Sequence, residues 1–120
     1  MTASKREIKG PIRVGRRRSP LEDAFEWQLK AALPDKWVER EFRFHPSRKW
    51  RADFLVGEYV LVEIEGAVYR QGRHTRGAGF EADIEKYNEA TIAGYSLIRG
   101  TARHVRNGQL IAWVERALKL

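Results

Sequence analysis

The sequence predicts an α/β fold in the order α-β-β-β-α-β-α, a mixed four-stranded sheet flanked by helices. Three observations carry that expectation. Apolar residues at helical spacing follow residue 18 and return near residues 80 and 110. Period-two alternation fills much of 37–65, and a short apolar strand, Tyr95 to Arg99, separates the two later helices. In a chain of 120 residues such elements pack around a single core.

The first helix has a written start. Ser19 is its N-cap, Pro20 takes the first helical position, and Glu22 completes a capping box. Leu21, Phe25, Leu29 and Ala32 form the apolar stripe, and Pro34-Asp35 stops the helix. Glu26, one turn after Glu22, is expected to be a solvated helix residue, and Trp27 is left without an assignment.

Residues 37–44 alternate as a half-exposed first strand, followed by a turn at His45-Pro46-Ser47. Residues 49–56 and 59–65 are the second and third strands. On the third, Val60, Val62 and Ile64 share one face while Leu61, Glu63 and Glu65 share the other. A Gly- and Arg-rich connection, 66–79, is of the kind that carries function. Phe80 to Ala93 is a helix with Phe80, Ile84, Tyr87 and Thr91 toward the core, ended by Gly94. Leu110, Ile111, Val114 and Leu118 mark the closing helix. Trp37, Trp50 and Trp113 are expected in the core, Asn88 on the surface, and His45 and His104, which lack partners at metal spacing, in structural roles.

Composition removes several function classes. Without cysteine there is no disulfide, zinc finger, iron–sulfur cluster or thiol nucleophile. No apolar run approaches the ~20 residues of a membrane span, and the N-terminus shows no signal-peptide core, so a cytoplasmic protein without a membrane partner is expected. The net charge is +7, and residues 1–20 carry seven Lys or Arg against the single acid Glu7, a net +6. The organisation is therefore a basic flexible arm, 1–18, ahead of one domain, 19–120. The arm, with Arg16, Arg17 and Arg18, suits contact with a nucleic-acid backbone; a solvated tail is the alternative.

Against this basic background three carboxylates gather. Asp53, Glu63 and Glu65 lie in a hairpin that otherwise looks buried, where like charges repel and burial disfavours each ionised form. A divalent cation is the usual reason to keep such a group. Oxygen ligands without histidine or sulfur suit Mg²⁺, with Mn²⁺ as substitute, and the basic chain suits a polyphosphate substrate. Glu63 and Glu65 point the same way, about 7 Å apart by strand rise. Asp53 joins them only if the hairpin loop is odd. A two-residue turn at Gly57-Glu58 sets Asp53 opposite Val62, whereas a three-residue loop, Gly57 to Tyr59, sets it opposite Glu63. The missing cation is expected from Lys86, which shares a helix flank with Asp83 while Glu81, Glu85 and Glu89 fall toward the other side. His74 is a candidate proton shuttle or phosphate contact, or simply an exposed loop histidine. Arg70, Arg73 and Arg76 either hold a substrate strand or solvate the loop.

The order of these strings resembles the PD-(D/E)XK nucleases, in particular their Vsr-like (very-short-patch-repair-like) endonuclease branch. The likeness spans about residues 19–118: a helix with Ser-x-x-Glu, "RADF", "LVEIEG", a His-bearing loop, "DIEKYN" and "YSLIRG". It implies a restriction-endonuclease-like core and a Mg²⁺-dependent endodeoxyribonuclease, a phosphodiester hydrolase acting on DNA. Such relatives include nicking repair enzymes, restriction-like, phage-encoded and homing nucleases. Asp53, Glu63, Glu65 and Glu22 would hold the ion, Glu22 standing where relatives carry a helical glutamate, with the helix cap as its other explanation. The family motif has lysine where this chain has Glu65, and Lys86 on the following helix represents the migrated lysine. Glu65 could instead pair with a loop arginine. Two other readings stay open: a catalytically inactive nucleic-acid-binding module on the same fold, and a structural protein whose acids pair with Arg51 and Arg70. One catalytic cluster per chain nicks one strand, so cutting both strands would need a homodimer or two visits by a monomer, and the sequence leaves the two states open.

Overall fold

The computed structural model describes residues 19–65 and 78–119. Helix α1 (Pro20–Ala32) begins where its capping residues place it, with the Ser19 hydroxyl accepting the Glu22 N–H at 3.1 Å. The box is only half made, because the Glu22 carboxylate turns to Arg40 instead. The buried stripe continues through Leu33 rather than Ala32, which is exposed.

Strands β1 (Val38–Arg43), β2 (Arg51–Val56) and β3 (Val60–Ile64) follow, then helix α2 (Ala78–Ile92) and strand β4 (Ser96–Gly100). A short helix, α3 (Ala102–Arg106), and α4 (Gln109–Ala117) close the chain. The sheet runs β1-β2-β3-β4, antiparallel through β3, with β4 parallel to β3. A parallel neighbour demands a long crossover, and that connection contains α2. The result is an α/β fold with a mixed four-stranded sheet flanked by helices. Helix α3 was not expected. It follows Thr101, whose N–H donates to His104 Nδ1 at 2.9 Å, so His104 is structural. His45 is structural too, its Nδ1 accepting the Ser47 and Arg48 amides at 3.2 and 2.9 Å.

Two apolar clusters sandwich the sheet. Phe25 and Leu29 of α1 meet Phe54, Val56, Val60 and Val62 together with Leu110 and Val114 of α4. Leu55, Leu61, Phe44 and Ala52 form the other cluster with Ala90 of α2. Here α2 differs from its expected face. Tyr87 is half-buried as expected, but Phe80, Ile84 and Thr91 are exposed, and Lys86 and Ala90 turn inward. The Glu63 carboxylate draws Lys86 inward, a polar preference that apolar periodicity cannot register. Trp37 is also a correction: it is 56% exposed, its Nε1–H donating to Glu39, whereas Trp50 and Trp113 are partly buried against the clusters. Trp27 is exposed on α1. Among the described residues no helix is long and apolar enough to cross a membrane.

The β2–β3 loop settles the parity question. Gly57, Glu58 and Tyr59 form a three-residue turn, and Val56 pairs with Val60. Gly57 takes φ +69°, a left-handed conformation that glycine adopts without a Cβ clash.

Candidate functional site

At Asp53 strand β2 ends its ladder with β3 and misses one pair with β1. On the β3 side the ladder ends at Phe54↔Val62, although β2 begins at Arg51 and β3 runs on to Ile64. The odd loop places Asp53 opposite Glu63 there, and Asp53 Oδ2 accepts the Ile64 N–H at 2.7 Å in place of a backbone carbonyl. On the β1 side the register passes from Arg40↔Phe54 to Phe42↔Ala52, skipping the pair Glu41 and Asp53. Glu41 sits at φ +57°, a conformation that costs a residue bearing a Cβ about 1–2 kcal/mol. Alternation reverses across this point. Val38 and Phe54 pack in the cluster under α1, while Phe42 and Ala52, which strict alternation would set beside them, pack in the other. Strain of this kind is retained where the surrounding structure enforces it, commonly at functional positions.

Three carboxylates converge at the break. Glu22 of α1, Glu41 of β1 and Asp53 of β2 each offer an oxygen, all within 4.8 Å of one another. Glu22 is oriented by Arg40, whose Nη2 donates to it at 3.0 Å while Nη1 donates to Asp23 at 2.7 Å and Glu26 at 3.0 Å. Burial alone would lower the Arg40 guanidinium pKa, but its three carboxylates overcome that and raise it. Glu26 is therefore not a merely solvated residue: burial pushes its carboxyl up, and Lys30 and Arg40 together bring it below its ordinary value. Glu41 also accepts from Arg51 at 3.2 Å.

The electrostatics of Asp53 and Glu63 follow from their partial burial. Burial first, and the charge of Glu63 second, push the Asp53 carboxyl up to about 7, while the Ile64 N–H and Lys86 pull the other way. Burial likewise raises Glu63 despite Lys86, whose Nζ donates to Glu63 Oε2 at 2.9 Å. Lys86 thus stands beside Glu63. Asp83, its expected companion on the flank, is exposed.

Glu65 is placed differently. It lies just past the end of β3 and accepts from Arg99 Nε at 2.7 Å and from the Tyr87 hydroxyl at 3.3 Å. The Arg99 guanidinium stacks 4.5 Å over the Tyr87 ring. Burial, with Glu63 and Glu65 nearby, raises the Tyr87 hydroxyl pKa and keeps it protonated. Among the described residues Glu65 has an arginine partner on β4, Arg99, and it stands outside the trio of Glu22, Glu41 and Asp53. His74, Arg70, Arg73, Arg76, Arg16, Arg17 and Arg18 lie outside the described residues.

Sequence reasoning missed Glu41 and Arg40. Glu41 had one legible signal, since in an antiparallel hairpin of this length it falls opposite Asp53. Its left-handed backbone had none, because glutamate carries no mark of a positive φ. An all-oxygen set of this size has the donor chemistry of a Mg²⁺ or Mn²⁺ site. No family model matches the chain, and neither a curated protein nor a solved structure does. The class rests on fold and geometry together: an α/β protein with a four-stranded mixed sheet and a carboxylate cluster where its second strand parts from the third and misses a pair with the first.

Proposed function

We propose that this protein is a Mg²⁺-dependent DNA endonuclease with a restriction-endonuclease-like core, Vsr-like in its motif order, acting in the cytoplasm. The observation that carries the reading is the meeting of Asp53 with Glu22, Glu41 and Glu63, with Lys86 on Glu63, at the interruption of β2. Asp53, Glu22 and Glu41 would hold the ion, with Glu63 beside them. Bound there, Mg²⁺ or Mn²⁺ would polarise a phosphoryl oxygen and acidify an attacking water.

The protein's own residues have separable tasks. The Ile64 amide fixes the Asp53 carboxylate, leaving its second oxygen for a ligand. Arg40 holds Glu22 against the sheet. An ammonium has three donors, and Lys86 uses one on Glu63, leaving others for a phosphoryl oxygen or the attacking water. Glu65, tied to Arg99 and Tyr87, braces the β3 end against β4 and α2. The basic arm and the arginines of 66–77 would hold the phosphate backbone.

The Glu65–Arg99 pair favours one alternative, a nucleic-acid-binding module without catalysis, because it withdraws a carboxylate from the motif. A cleavage panel separates the two. Nicked, branched, mismatched and linear DNA are incubated with Mg²⁺ or Mn²⁺ beside Asp53→Ala. Metal-dependent cutting that disappears in the variant supports the enzyme; identical cutting by both proteins sinks it.

A further inference from the structure

The closed end of the β1–β2 hairpin carries a concentration of charge that the fold uses only in part. Between Phe42 and Ala52 stand Arg43, Arg48, Lys49 and Arg51, with no acid among them. Arg43 and Arg51 are direct cross-strand partners. Like charges set opposite each other on an antiparallel pair destabilise it, so this register works against the hairpin. Phe42 and Ala52 turn into a core cluster, and both arginines are exposed. Arg43 and Lys49 have no acidic partner among the described residues. Arg51 reaches Glu41 at 3.2 Å, and Arg48 lies 4.0 Å from Glu85.

The end is also held by side-chain contacts. His45 Nδ1 accepts two turn amides, its ring meets Trp50 edge-on at 5.2 Å, and Arg48 stacks 4.0 Å above Trp50. A solvated charge run needs no such fixing. The Arg43–Arg51 pair lies two residues beyond Glu41 and Asp53, about 7 Å by strand rise.

We propose that this hairpin end is a preformed clamp for the phosphate backbone of a nucleic-acid strand, with Arg43 and Lys49 as its unpaired contacts. It rests on the nuclease reading only for its orientation, namely that the gripped strand runs on to the carboxylate cluster. Arg51 joins the two, touching Glu41 on one side and facing Arg43 on the other.

The test uses the full chain in EDTA, so that binding is read without cleavage. Anisotropy of a labelled 20-base-pair DNA duplex is titrated at several salt concentrations for three proteins: wild type, Arg43→Gln/Lys49→Gln, and Arg103→Gln/Arg106→Gln. The last removes two exposed charges from α3 as a control. Two lost phosphate contacts make the slope of log affinity against log salt shallower by about 1.8, with affinity at low salt falling at least about tenfold. That change in the hairpin variant alone supports the clamp. A slope equal to wild type, or an equal loss in the α3 control, overturns it. A hairpin-dependent slope from a protein that cuts no DNA would keep the clamp and remove the nuclease reading.

Discussion

The Asp53 carboxylate accepts the Ile64 amide at 2.7 Å, filling the ladder position that β2 gives up as it parts from β3. One side chain thereby serves the backbone while standing among Glu22, Glu41 and Glu63. Its carboxyl, raised to about 7 by burial and then by Glu63, binds a proton more tightly in the native protein than in the unfolded chain, where the value is near 3.8. The sign follows by linkage. The contribution of Asp53 to stability is fully present below about pH 4 and is lost as pH rises through about 7, on the order of 4 kcal/mol in the metal-free protein. Asp53→Asn should abolish most of that loss. Urea midpoints in EDTA at pH 4.5 and 8 measure it, and parallel pH profiles for the two proteins would count against the assignment.

Metal should reverse the same penalty. Three converging carboxylates at pH 8 repel one another until a cation binds, so Mg²⁺ or Mn²⁺ in millimolar excess should raise the melting temperature of wild type. Glu41→Gln and Asp53→Asn should each remove most of that shift, and Glu65→Gln should leave it within error. Calorimetric Mn²⁺ titrations of the three variants give the ranking directly. A Glu65→Gln loss as large as that of Asp53→Asn would move the site toward β3.

Lys86 and Glu63 form a partnership buried enough to test by removal. Lys86→Met strands a carboxylate whose pKa burial already raises, and is expected to cost about 1–3 kcal/mol. Cleavage should fall 10²- to 10⁴-fold if the ammonium also serves a reacting group. Lys86→Met/Glu63→Gln should recover the stability and none of the cleavage. Recovery of both would make the pair purely structural.

How much of this was legible in residue order depends on what each feature leaves behind in the chain. Ser19-Pro20 wrote the start of α1, and the spacing of Val60, Val62 and Ile64 gave the face of β3. Counting residues around Gly57 was enough to place Asp53 opposite Glu63. The inner face of α2 was misjudged in part because Lys86 turns inward for the Glu63 carboxylate, whereas Phe80 and Ile84 stay exposed. Glu41 escaped notice for a different reason. Its ladder break is a backbone event at an ordinary strand residue, and only the three-dimensional register reveals it.

Arg40 provides the sharpest separation of position from chemistry. One guanidinium bonds Glu22, Asp23 and Glu26 of α1 from strand β1, and lies 5.5 Å over the Phe54 ring. The planar guanidinium reaches Glu22 through one nitrogen and Asp23 and Glu26 through another, a spread that a single ammonium nitrogen does not reproduce, so lysine is not an equivalent. Arg40→Lys should cost about 1–2 kcal/mol of stability, and Arg40→Ala more, since it leaves three neighbouring acids to repel. Glu22 would also lose its orientation. The apparent Mg²⁺ affinity of Arg40→Lys should weaken several-fold while cleavage at saturating metal stays near wild type, because Arg40 touches no reacting atom. Metal titrations of cleavage rate read both quantities. A fall in the saturated rate with unchanged metal affinity would instead assign Arg40 to the substrate.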